Sequence, residues 1–206
     1  MTEPFASPAD PSAAGPVHPP LHPSLGPTLT PPINPSVRPS VRRPGARFLL
    51  SHPAHLIALG FGAGLSPVAP GTVGTLWGWA SYLVLQAWLS PAQIGWVIGG
   101  ALALGWAACT VTARHMRVSD PGAIVWDEVV AFWLVLWLVM PTGLWGQFVA
   151  FVLFRFFDAV KPGPVAWADR RFHGFGARGG FGILLDDLVA AFCTLLVMAL
   201  WVAWHR

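Results

Sequence analysis

Five long apolar runs dominate this chain, at roughly 73–89, 92–112, 122–140, 144–160 and 188–204. Crossing a bilayer takes about 20 residues, so each run is of the right order. Backbone N–H and C=O groups in hydrocarbon must be satisfied within the segment or within a closed barrel, so runs of this kind fold as helices. The chain is therefore expected to be an all-α, multi-helix, membrane-embedded bundle of about five spanning or dipping helices. Only 10% of its residues are charged, against about 25% in a typical soluble domain. The net charge of +3 is small and no basic patch is present, which argues against a nucleic-acid partner. Cys109 and Cys193 lie inside apolar runs and read as small core residues, with no disulfide or zinc framework.

The connections carry a topology signal. Those near Ser90-Pro91 and Pro141-Thr142-Gly143 have no charge, whereas the others hold Arg114 and Arg117, then Lys161, Arg170, Arg171 and Arg178. Positive loops favour the cytoplasm, so the charged loops and the N-terminus are expected there. Residues 1–47 are rich in proline, serine and threonine and end in Arg38, Arg42, Arg43 and Arg47. Such a segment cannot offset its ordering entropy by burial and reads as a disordered tail, a proline-rich docking ligand being the functional alternative. The helical membrane domain is then 48–206. Its first stretch, 53–65, is too short to span and reads as a re-entrant piece. It runs into Gly62-Ala63-Gly64-Leu65-Ser66-Pro67-Val68-Ala69-Pro70-Gly71-Thr72, where glycine and proline predict a loop or broken helix. Thr72 or Thr75 is expected to cap the helix that follows and to offer free N–H groups to a phosphate; a simple turn is the plainer reading.

Acids next to apolar runs require an explanation, because one at bilayer depth costs about 2.5–3.5 kcal/mol on insertion scales. Nine acids occur in the chain, and seven lie between Asp120 and Asp187. Asp127 and Glu128 begin the third run, Asp158 ends the fourth, and Asp186 and Asp187 begin the fifth. Acids favour helix N-termini through the macrodipole. That accounts for single acids, less well for two adjacent pairs, and not for Asp158 at a C-terminal end. A shared Mg²⁺ site built from Asp127, Glu128, Asp158, Asp186 and Asp187 accounts for all five. Arg155, Asp158 and Lys161 are spaced to share one helix face if the helix persists to Pro162. Arginine grips phosphate oxygens bidentately and lysine acts as a point charge; a local Arg155–Asp158 salt bridge is compatible with that role. The segment from His173 to Ile183 reads as a glycine-rich loop leading into Asp186-Asp187, with His173 either a phosphate donor or a structural histidine.

These segments together resemble the phosphatidylglycerophosphatase A family of bacterial membrane lipid phosphatases. The resemblance rests on Gly64 to Thr72, Ile124-Val125-Trp126-Asp127-Glu128, Phe154-Arg155-Phe156-Phe157-Asp158-Ala159-Val160-Lys161-Pro162 and Gly182-Ile183-Leu184-Leu185-Asp186-Asp187, in that order. It covers about 55–200. Here 175–178 stands as an insertion after His173-Gly174, and Ala131 and Ala191 replace glycines common in the family. The resemblance implies Mg²⁺-dependent hydrolysis of phosphatidylglycerophosphate to phosphatidylglycerol and inorganic phosphate. It also implies a central helix surrounded by others, and multi-pass residence in the bacterial inner membrane with the site facing the cytoplasm. The acids Asp127, Glu128, Asp158 and Asp187 are the expected catalytic residues. Arg155, Lys161, Arg170 and Thr72 are the expected phosphate ligands. Neither the Asp-x-Asp-x-Thr pattern of aspartyl-phosphate phosphatases nor the Pro-Ser-Gly-His pattern of histidine-based lipid phosphatases is present, which favours direct attack by water. The alternative of another class is a transporter or ion pathway, since intramembrane acids beside a broken helix also line such routes.

Overall fold

The computed structural model describes residues 43–118, 121–172 and 176–204, with the backbone alone for 169–172. Among these residues all regular structure is helical: α1 (Ala46–Leu50), α2 (Pro53–Ala58), a 3₁₀ segment (Gly60–Leu65), α3 (Pro70–Trp88), α4 (Pro91–Met116), α5 (Trp126–Val139), α6 (Leu144–Val160), α7 (Pro164–Phe172) and α8 (Ala177–Trp204). All five apolar runs became helices. Proline opens α3 and α4, where its missing N–H costs nothing, and Ser90 with Gln93 forms a capping box on α4. The proposed tail lies almost wholly outside the described residues. Its last two residues, Ala46 and Arg47, already belong to α1.

Helix α5 is central. Val129, Val130, Phe132, Val135 and Leu136 are fully buried, and α3, α4, α6 and α8 all pack against it. Indole N–H groups tie the layers together. Trp126 donates to the Ala101 carbonyl at 3.0 Å, Trp133 to the Gly78 carbonyl at 2.9 Å, and Trp79 to Gln147 at 2.7 Å. Ala131 and Ala191 are both buried, as close helix packing requires.

Two helices, α4 with 26 residues and α8 with 28, are long and apolar enough to cross a membrane, which fits a membrane protein. The shorter α3, α5 and α6 have 19, 14 and 17 residues. Four exposed tryptophans mark one end of the bundle: Trp88 closes α3, Trp145 opens α6, and Trp201 and Trp204 lie in the last turns of α8; Trp77, Trp106 and Trp167 are exposed in the other half.

The 53–65 stretch is helix α2 followed by the 3₁₀ segment, and the break expected from Gly62 onward begins toward its end. Phe61 and Gly62 break the helical path with φ of 56° and 111°, and Gly60 and Gly64 are buried. The piece is clamped onto the entry to α5: the Val125 N–H donates to the Ala58 carbonyl at 2.9 Å. His55 anchors its start, with Nδ1 2.9 Å from the Phe48 carbonyl and Nε2 2.8 Å from His115 Nδ1. Burial holds His55 below the usual histidine range, helped by the neighbouring His115 and His52.

One expectation fails. The glycine-rich stretch from His173 to Ile183 is not a loop throughout, because α8 begins at Ala177; residues 173–175 lie outside the described residues. Gly179, Gly180 and Gly182 are buried helix residues. A side chain on Gly180 would collide with Thr110 of α4. Glycine is used here for close approach between helices. Gly105 of α4 serves the same purpose, since a methyl there would come within 2.5 Å of the Trp126 ring. Gly105→Ala is therefore expected to cost about 1–3 kcal/mol through overpacking. The control is Gly99→Ala on the open face of the same helix, which meets nothing within 4 Å and is expected to gain a few tenths of a kcal/mol or more from helix propensity. Thermal unfolding of both variants in detergent checks the pair; equal midpoints would count against close α4–α5 packing.

Candidate functional site

Four helices bring their functional residues to the end of the bundle opposite Trp88, Trp145, Trp201 and Trp204. Asp127 and Glu128 occupy the first turn of α5, where the helix dipole favours negative charge. The chain reaches that turn through Val125, whose backbone is held by α2, and Trp126, whose ring is wedged against Gly105. Arg155 and Asp158 lie one turn apart near the end of α6. Asp186 and Asp187 lie on α8, and Gly71 and Thr75 on the first turns of α3.

Asp127, Glu128 and Asp187 each offer a carboxylate oxygen, and these atoms all lie within 4.8 Å of one another. Glu128 and Asp187 are buried. Asp127 and Glu128 are in side-chain contact, as are Asp187 and Asp158. Carboxylate oxygens at that range repel unless a proton or a cation lies between them. Asp127 Oδ1 and Glu128 Oε2 are buried with no hydrogen-bond partner. Unsatisfied buried acceptors are costly and rare. Anionic oxygens left in this state are the donor set a hard divalent cation takes, so these residues fit a Mg²⁺ ion.

The cations stand beside this trio. Arg155 Nη1 donates to Asp158 and lies 3.9 Å from Glu128; it also reaches Thr75 Oγ1 at 3.4 Å. The Lys161 ammonium pairs with Asp186. Lys161 does not extend the face of α6, because the helix ends at Val160 and Lys161 turns into the left-handed region. The local Arg155–Asp158 bridge is present, as one of the two readings held.

Other expectations need correction. Neither Thr72 nor Thr75 caps α3: the cap position belongs to Ala69, which has no side-chain cap bond. Thr75 is buried within the helix and donates back to the Gly71 carbonyl at 2.9 Å, which leaves its oxygen turned toward Arg155. Thr72 is in the first turn, beside Gly71. A side chain on Gly71 would overlap Glu128 and crowd the Arg155 guanidinium, with gaps of 3.2–3.3 Å; the turn opening α3 therefore lies directly against the acid cluster. Asp186 and Asp187 do not begin the apolar helix but sit well inside it. The side chain of Arg170, together with Asp120 and His173, lies outside the described residues. Sequence reasoning missed Thr75 as a partner of Arg155; the only signal was its spacing four residues after Gly71.

Comparison with known proteins adds the following. A family model described as phosphatidylglycerophosphatase A matches residues 56–202. The chain is 43% identical over 152 residues to phosphatidylglycerophosphatase A of Escherichia coli (strain K12), covering 70% of this chain and 81% of that protein. It is 38% identical over 156 residues to phosphatidylglycerophosphatase A of Haemophilus influenzae, covering 75% and 92%. A Bacteroides thetaiotaomicron protein with the provisional name phosphatidylinositol-3-phosphatase is 34% identical over 149 residues, covering 70% and 90%. No solved structure matches.

Proposed function

The chain belongs to the phosphatidylglycerophosphatase A family, and from that membership we propose that it hydrolyses the phosphomonoester of phosphatidylglycerophosphate in a Mg²⁺-dependent reaction. The products are phosphatidylglycerol and inorganic phosphate. One observation supports the metal dependence above all: three carboxylates converge within 4.8 Å, and two of their buried oxygens have no partner.

Charge leads to the same conclusion. With all five acids ionised, Asp127, Glu128, Asp158, Asp186 and Asp187 outweigh Arg155 and Lys161 by three negative charges. A phosphate dianion is repelled by such a site unless divalent cations are held there. Asp127, Glu128 and Asp187 would hold Mg²⁺, with Asp158 next to them. When bound, Mg²⁺ supplies Lewis-acid neutralisation of phosphate charge and lowers the pKa of a coordinated water. The protein's own groups supply the rest. Arg155 presents a planar fork of N–H donors to the phosphate oxygens. The first turn of α3 at Gly71 and Thr72 adds backbone N–H groups that have no intrahelical acceptor. In the reaction, a water oxygen bonds to phosphorus, the bond to the glycerol oxygen breaks, and that oxygen leaves with a proton.

The site faces the cytoplasm of a bacterial inner membrane in this reading, and the bundle is multi-pass. In support, Arg114 and Arg117 at the end of α4 and Arg178 at the start of α8 stand at the acid-bearing end. The opposite end has uncharged connections, and Trp88, Trp145, Trp201 and Trp204 are exposed there, as a membrane boundary favours. The transport alternative gains no support from the comparisons. The test is phosphate release from phosphatidylglycerophosphate by the full chain in detergent, with Mg²⁺ and with chelator, and with phosphatidylinositol 3-phosphate as second substrate. Release from the glycerol lipid that stops on chelation and returns with Mg²⁺ is the expected result. Chelator-resistant release would remove the metal from the reading, and preference for the inositol lipid would change the substrate.

A further inference from the structure

The pair Asp186-Asp187 reads in the sequence as one unit, but the two residues face different neighbours. Successive positions on a helix are about 100° apart. Asp187 turns toward α5 and joins the trio with Asp127 and Glu128. Asp186 turns toward the end of α6 and accepts from the Lys161 ammonium. A second observation marks the same contact. Lys161 caps α6 with φ 47° and ψ 55°, the left-handed conformation in which helices commonly place glycine. Side chains with a Cβ are disfavoured there, and backbone strain of this kind gathers at functional sites. The side chain of Lys161 keeps 29% of its exposure while that of Asp186 keeps 10%. The acid end of this contact is thus the more deeply buried of the two.

We propose that Asp186 is a positioning residue and not a metal ligand: it fixes the Lys161 ammonium beside the carboxylate trio, where that ammonium meets the substrate's phosphate. The proposal rests on the metal-dependent phosphatase reading and divides its acids into two groups. Asp127, Glu128 and Asp187 serve the metal, and Asp186 serves a cation of the chain itself. Lysine has a long flexible stem, so an unrestrained Lys161 would spend much of its time away from the phosphate. The left-handed turn aims the stem and Asp186 holds its tip.

The experiment uses the full chain in detergent with Asp186→Asn, Asp187→Asn and Lys161→Gly. Mn²⁺ binding without substrate is followed by the electron paramagnetic resonance signal of the free ion, and KM and kcat are measured separately. Asp187→Asn is expected to weaken Mn²⁺ binding about thirtyfold or more, as loss of a ligand should. Asp186→Asn and Lys161→Gly are expected to change it by about threefold or less, as a neighbouring charge does in a partly exposed site. Both are expected to raise KM for the lipid phosphate more than they lower kcat. Lys161→Gly also relieves the left-handed strain, so its unfolding midpoint should stay near that of the wild type, separating loss of the ammonium from loss of fold. Mn²⁺ binding as weak in Asp186→Asn as in Asp187→Asn would make Asp186 a ligand and overturn the proposal. So would a wild-type KM in Lys161→Gly. A wild-type chain that neither binds Mn²⁺ nor releases phosphate would overturn the metal-dependent reading itself, an outcome distinct from either of these.

Discussion

Asp127→Asn is expected to lower phosphate release by about a thousandfold or more, equivalent to about 4 kcal/mol of lost transition-state stabilisation. The substitution is nearly isosteric, so the first turn of α5 should keep its shape. What it removes is one of three anionic oxygens held within 4.8 Å of one another. Asp187→Asn should show a loss of similar size. If the two hold one ion, as proposed, the double variant should be little worse than either single one; groups that work as a unit are grossly non-additive. Initial rates with Mg²⁺ in excess, on protein with wild-type helical content, check this. Retention of more than about a tenth of the activity by Asp127→Asn would remove it from the chemistry.

Arg155→Ala is expected to reduce kcat/KM by about 10²–10³-fold, the usual scale for one preorganised charged donor at a transition state. Besides the phosphate contact proposed for it, Arg155 neutralises two acids: it pairs with Asp158 and lies 3.9 Å from Glu128. Its Nε is buried without a partner. Arg155→Lys should recover only a small part of the loss, because an ammonium restores the charge but not the bidentate fork. A lysine variant indistinguishable from wild type would show that net charge alone is required. An alanine variant within a few-fold of wild type would assign Arg155 to packing.

The sequence was most informative where the physical signal is local. The apolar run at 144–160 and helix α6, Leu144–Val160, coincide, because Gly143 before it and Pro162 after it set its limits. The run expected at 73–89 starts at Pro70, since a proline there loses no hydrogen bond. What could not be read locally depended on a partner. The glycines of 179–182 look like a loop in isolation and become helix only because Thr110 and α4 need the space. Asp186 and Asp187 look alike in the chain and differ only through what α5 and α6 place opposite them. Thr75 reads in the sequence as a candidate cap and not as a partner of Arg155, because the guanidinium it meets comes from 80 residues further along the chain.

The depth of the carboxylates has one more consequence. At 1.5 Å per residue, α8 rises about 26 Å from Asp187 to Trp204, and α5 about 18 Å from Asp127 to Val139. A hydrocarbon layer is about 30 Å thick. In the membrane reading proposed above, with Trp88, Trp145, Trp201 and Trp204 at the far boundary, the acids would lie beneath the plane in which phospholipid headgroups normally float. Either the leaflet thins over the protein or the lipid sinks into it. In both cases the bilayer dimples at the site, and bending the leaflet becomes part of the work of bringing the phosphate to the acids.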